Sequence, residues 1–157
     1  MTYLNERTNA IEMLRAEHSQ MCDLLKVIDN TEDAGQRMTA VQQLFNVVKM
    51  HTELEQRLFC PSVVRHIRYA HLKKSTADFN AFQMLLSDIT SSQTMLPELV
   101  AHAEEQLEKH IFDTEELMFL PIENKCSDVD YSLSQLSARM HAKKHELEKQ
   151  LGISKAS

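Results

Sequence analysis

His51-Thr-Glu-Leu-Glu55-Gln-Arg-Leu-Phe-Cys-Pro61 and His110-Ile-Phe-Asp-Thr-Glu115-Glu-Leu-Met-Phe-Leu-Pro121 are two versions of one pattern, set about sixty residues apart. Each places a histidine about one helical turn before a glutamate, and each carries an apolar pair shortly before a proline. On a helix this spacing stacks an imidazole and a carboxylate on one face. Two such faces turned toward each other make a metal site.

The repeat extends upstream. Ala16-Glu17-His18 followed by Leu24, Leu25 and Ile28 matches Ala77-Asp78-Phe79 followed by Leu85, Leu86 and Ile89 at nearly the same offset. The chain therefore reads as two copies of a helix pair, which predicts four helices related by a pseudo-twofold axis. The copies differ at one position that matters: Phe79 stands where the first copy has His18.

Composition agrees with an all-α protein. The 157 residues hold two glycines, three prolines and no tryptophan, so there is little turn chemistry for hairpins. The length suits one domain, 1–157, with a bundle over about 9–121 and an additional C-terminal helix over about 128–150. A formal charge of −6 gives no footprint for nucleic acid, and the short cluster Arg65, His66, Arg68, His71, Lys73, Lys74 reads as a solvated helix end. Cys22, Cys60 and Cys126 are odd in number and form no CxxC pair, so they read as free, inert thiols of a reducing compartment. No signal-like, lipidation or long apolar segment is visible, and the expectation is a cytoplasmic protein without membrane contact.

Along the chain, Asn9 is placed to cap a first helix, with Glu12 reaching back, that runs to about Asn30. A second helix starts near Asp33 and is bent or restarted at Pro61, with Ser62 to Leu72 as a helical tail. A third covers about Thr76 to Thr90, before a Ser91–Thr94 linker. A fourth opens near Pro97 and is ended by Pro121. Ser127-Asp-Val-Asp130 reads as a capping box for the fifth, which stops at Gly152.

These residues resemble the hemerythrin family, whose bacterial form is often called the HHE cation-binding domain: a lone histidine after an acidic residue, then His-x-x-x-Glu, and the same again. The resemblance spans Asn9 to Pro121. It implies an antiparallel up-and-down four-helix bundle holding a non-haem di-iron centre. Carried over residue by residue, His18 and His51 resemble the histidines of one iron, His110 a histidine of the other, and Glu55 and Glu115 the bridging carboxylates. The five-residue step from His110 to Glu115, against four from His51 to Glu55, suggests a π-type widening in the last bundle helix. Phe79 removes the histidine that helix C would give the second iron, and Ser75, one turn earlier, is no substitute. Asp78, Asn80, Tyr69 and His71 are the other groups near enough in sequence to weigh. A full di-iron pair, a single metal or none are the three states that remain open.

The resemblance implies a hemerythrin-like iron protein that binds dioxygen, nitric oxide or a related diatomic as carrier, sensor or stress protein. The alternative is a degenerate bundle with one metal or none that acts by protein contact, with no partner identifiable. A ferritin-like oxidase ranks last, because no histidine expected in the bundle core has a glutamate three residues before it. Of the remaining histidines, His141 and His145 read as a solvated face, His66 and His71 as surface positions, and His102 as a candidate supporting group at a different depth.

Overall fold

The computed structural model describes residues 9–91, 97–124 and 127–152. Five helical rods make up these residues: α1 (Ala10–Asn30), α2 (Ala34–Thr52), α3 (Tyr69–Ser91), α4 (Pro97–Thr114) and α5 (Ser127–Gln150). Asn9 and Asp33 cap α1 and α2, each accepting the amide three residues on, Glu12 at 2.9 Å and Gln36 at 2.8 Å. Each side chain thereby satisfies one of the unpaired donors at a helix start. Gly152 ends α5 in the left-handed conformation, φ +68°, where a residue without Cβ is unstrained.

Neither proline ends its helix. α2 runs on through a π-helical stretch, Glu53–Phe59, an α turn, Cys60–Val63, and a 3-10 turn, Val64–His66. α4 runs on through Glu115–Phe119, also π-helical, to Leu120–Glu123. In both copies the residue just before the proline donates to the carbonyl five residues back, Cys60 to Glu55 and Leu120 to Glu115. A widened turn ahead of the proline removes the clash its ring would make with the carbonyl four residues back. The expected widening is thus present in the last bundle helix, after Glu115 rather than before it. A second one at Glu55, which the sequence spacing did not announce, accompanies it.

The third helix begins at Tyr69, seven residues before the expected Thr76, because nothing from Tyr69 to Ser75 opposes helix. The expected helical tail to Leu72 is cut instead at Ile67, whose backbone is extended (φ −128°, ψ 152°). The linker after Ser91, the side chains of the predicted capping box and Cys126 lie outside the described residues.

Two apolar clusters stack along the bundle. One joins Ile11 and Leu14 of α1 to Leu54, Phe59, Met118 and Phe119, closed over by Leu133, Leu136 and Met140 of α5. The other joins Met21 and Leu25 of α1 to Val41, Leu44 and Val48 of α2, Phe79, Phe82 and Leu86 of α3 and Leu107 of α4. α1 passes from the first cluster to the second and α2 back again. α3 and α4 repeat that traverse, an up-and-down order. Between the clusters lies a layer of buried polar side chains.

Candidate metal centre

His18, His51, Glu55 and His110 form that layer, each at most 2 % exposed. One donor atom from each lies within 4.8 Å of all the others. His18 sits between Leu14 and Met21, His51 between Val48 and Leu54, and His110 after Leu107, so helical periodicity carries all three from the apolar faces of their helices into one plane.

Each imidazole is pinned through Nδ1. His51 Nδ1 donates to Glu17 Oε1 at 2.9 Å, His18 Nδ1 to Glu115 Oε2 at 2.8 Å, and His110 Nδ1 to the Ser75 carbonyl at 2.9 Å, with the Ser75 hydroxyl at 3.1 Å. In a neutral ring, a donor on Nδ1 leaves the lone pair on Nε2, the tautomer of a metal ligand. The three Nε2 atoms and Glu55 Oε2 are buried with no hydrogen-bond partner. Glu55 Oε2 approaches His51 Nε2 to 2.5 Å and His110 Nε2 to 3.2 Å. Buried polar groups are ordinarily satisfied; here three imidazole nitrogens and a carboxylate oxygen converge and have no partner outside the set, so a proton shared between His51 and Glu55, or a cation, is what completes it. Ligands about 2.1 Å from a common ion stand roughly 3 to 4.2 Å apart, so spacings that reach 4.8 Å have to close, and the 2.5 Å contact of Glu55 with His51 has to open, by about 1 Å. The residues present fit a metal ion.

Electrostatics give the same picture. Burial, the largest influence on His18, drives its imidazolium down to about 4 against the pull of Glu115, so the ring is neutral near pH 7. Burial acts downward at His51 too, but the Glu55 and Glu17 carboxylates outweigh it and lift the ring to about 9. Burial would raise Glu55, yet the His110 and His51 rings hold it well below the usual carboxylate range. A positive charge belongs between His51 and Glu55, as a proton or as a metal ion.

Four of the five residues expected from the sequence are therefore brought together. The fifth, Glu115, is turned aside: it is a quarter exposed, holds His18 Nδ1 and meets Arg15 Nε at 3.4 Å. Arg15 is fixed in turn by Glu123 through a bidentate pair at 2.8 and 2.9 Å. His110, expected on a separate iron, converges with His18 and His51. The fully buried Phe79 ring packs against two of the three, 4.5 Å from His110 and 5.2 Å from His51, centre to centre. Phe119 stacks on His18 from another side at 6.1 Å.

The groups weighed as substitutes stay away. Asp78 pairs with Lys74, which also meets Asp113 at 2.7 Å. Tyr69 is 71 % exposed, and His71 lines an open cleft of about 530 Å³ with Arg65, His66 and Arg68. His102 is exposed and supports nothing at the site. Cys60 is buried with its thiol pushed up by desolvation, as an inert thiol requires. Three supporting residues escaped sequence reading in those roles: Glu17, Ser75 and Lys144, whose Nζ stands 3.5 Å from Glu17 Oε2. The acidic residue before His18 was the one visible signal. Ser75 and Lys144 become legible only when the helices are packed.

No helix among the described residues is long and apolar enough to cross a membrane. No curated protein and no solved structure matches the chain significantly. The hemerythrin HHE cation binding domain matches residues 9–122, the segment that contributes all four converging side chains, and the chain belongs to that family.

Proposed function

We propose that the protein holds a single iron ion between His18, His51, His110 and Glu55 and binds dioxygen, nitric oxide or a related diatomic there, as carrier, sensor or stress protein. One observation carries the reading: three imidazole nitrogens and a carboxylate oxygen, all buried and without a partner outside their own set, converge from three helices. Three imidazoles with one carboxylate suit a first-row transition metal better than magnesium or calcium, and the family favours iron. Such an iron would supply an open coordination position and an electron for a small ligand.

The chain's own residues define what the site admits. Phe79 and Phe119 wall the imidazole cluster with apolar rings, which favours a small uncharged ligand over a hydrated ion. Glu17, Glu115 and the Ser75 carbonyl keep the three rings oriented. Phe79 is also what favours one metal over two, because a second ion would lack a histidine from α3.

The test is anaerobic loading of metal-free protein with iron(II), elemental analysis per chain, and optical spectra on exposure to nitric oxide. About one iron, lost in His51→Ala, with new bands on nitric oxide, is the expected result. Two irons would refute the single-ion reading. No bound metal would leave the degenerate, protein-contacting bundle as the better account.

A further inference from the structure

α5 lies beyond the family-matched segment, yet it touches the support of the metal site. It packs against α1 and the π-helical stretch that carries Glu55. Its Ser137 hydroxyl accepts the first amide of α1, from Ala10, at 2.7 Å in a buried contact. Seven residues further along both helices, Lys144 Nζ comes within 3.5 Å of Glu17 Oε2. Equal steps on both helices mean that α1 and α5 run parallel in fixed register, so the Ser137 contact and the core leucines of α5 determine where Lys144 stands.

Glu17 has no exposed side-chain surface, and Lys144 has 14 %. One Glu17 oxygen holds His51 Nδ1, and the other has no hydrogen-bond partner, only this ammonium at ion-pair distance. A carboxylate taken fully out of water needs compensating charge on both oxygens. Without Lys144 the outer oxygen is left uncompensated, and the carboxylate turns toward other donors and releases the His51 ring. Supporting contacts of this kind are worth about 10- to 100-fold in metal affinity.

We propose that Lys144 is a positioning residue for the metal centre, acting through Glu17 on His51, so that the docked fifth helix sets metal affinity. This rests on the metal-binding reading above. By reciprocity of coupled equilibria, metal binding then tightens α5 against α1, giving the site an outlet to the protein surface.

The experiment uses the full chain and Co²⁺ alone as probe, titrated by its visible absorption into metal-free wild type, Lys144→Met, Lys144→Arg, Glu17→Gln, the Glu17→Gln/Lys144→Met double variant and Lys143→Met. Lys143 pairs with Glu146 on the same helix and controls for charge. Lys144→Met is expected to weaken Co²⁺ binding about 10- to 100-fold, and Lys144→Arg to restore most of it. Lys143→Met should change little, and Lys144→Met should add nothing in the Glu17→Gln background. Hydrogen exchange of the α5 amides should slow when Co²⁺ binds wild type. Binding by Lys144→Met within twofold of wild type, equal loss in Lys143→Met, full loss persisting in the Glu17→Gln background, or exchange indifferent to Co²⁺ would each overturn the proposal while leaving the metal site intact. Wild type that takes up no Co²⁺ would overturn both.

Discussion

Truncating Phe79 to alanine separates what this residue does for the fold from what it does for the metal. The ring is fully buried and lies against His110, His51 and Phe82, the last at 5.8 Å between centres. Phe→Ala in a packed core costs about 3–5 kcal/mol, with the larger values where the neighbours cannot collapse into the space. His51 and His110 are held by Glu17 and Ser75, so about 4 kcal/mol is the expectation. With a urea slope of about 2 kcal/mol per molar, that loss lowers the midpoint by roughly 2 M. The metal donors are untouched, so Co²⁺ at about 100 times its dissociation constant should return about 2.7 kcal/mol to wild type and variant alike. Urea unfolding followed by far-ultraviolet circular dichroism, metal-free and with Co²⁺, measures both terms. A metal-free loss below about 1 kcal/mol, or a midpoint that Co²⁺ leaves in place, would refute the packing and metal arguments respectively.

Metal affinity should rise with pH. His51 is protonated below about 9 in the metal-free protein and must lose that proton to ligate, whereas His18, with its value near 4, is already neutral. The apparent Co²⁺ association constant should therefore climb about tenfold per pH unit between pH 6 and 8 and flatten above about 9, with roughly one proton released per ion at neutral pH. A flat profile by calorimetry in two buffers would count against it. Ser75→Ala should be mild, because His110 Nδ1 keeps the Ser75 carbonyl: about 1 kcal/mol of stability and less than about tenfold in Co²⁺ affinity, read from the same titrations. In a Cys126→Ser background, Cys22, half-buried, should react with a thiol reagent well before Cys60, which is buried and has its thiol raised by desolvation. Equal rates for the two would contradict the burial assigned to Cys60.

The sequence by itself determined the helices, their duplication and the identity of the converging side chains. Those follow from interactions between near neighbours: the 3.6-residue period that puts His51 above Glu55, the caps at Asn9 and Asp33, and the apolar spacing either side of His18 and His110. It took Pro121 as an end and Pro61 as a bend or restart, whereas helix continues through both, because a widened turn at Glu55 and Glu115 accommodates a proline ring; the five-residue step from His110 to Glu115 signalled one of these turns, and the four-residue step from His51 to Glu55 gave no sign of the other. Only the tertiary structure decided that His110 joins His18 and His51 at one point, that Glu115 turns toward His18 Nδ1 and Arg15, and that Glu17, Ser75 and Lys144 hold the site from outside. Each of these depends on the register of one helix against another. That register is set by interlocking side chains far apart in the chain, such as Ala10 and Ser137, and no local period encodes it.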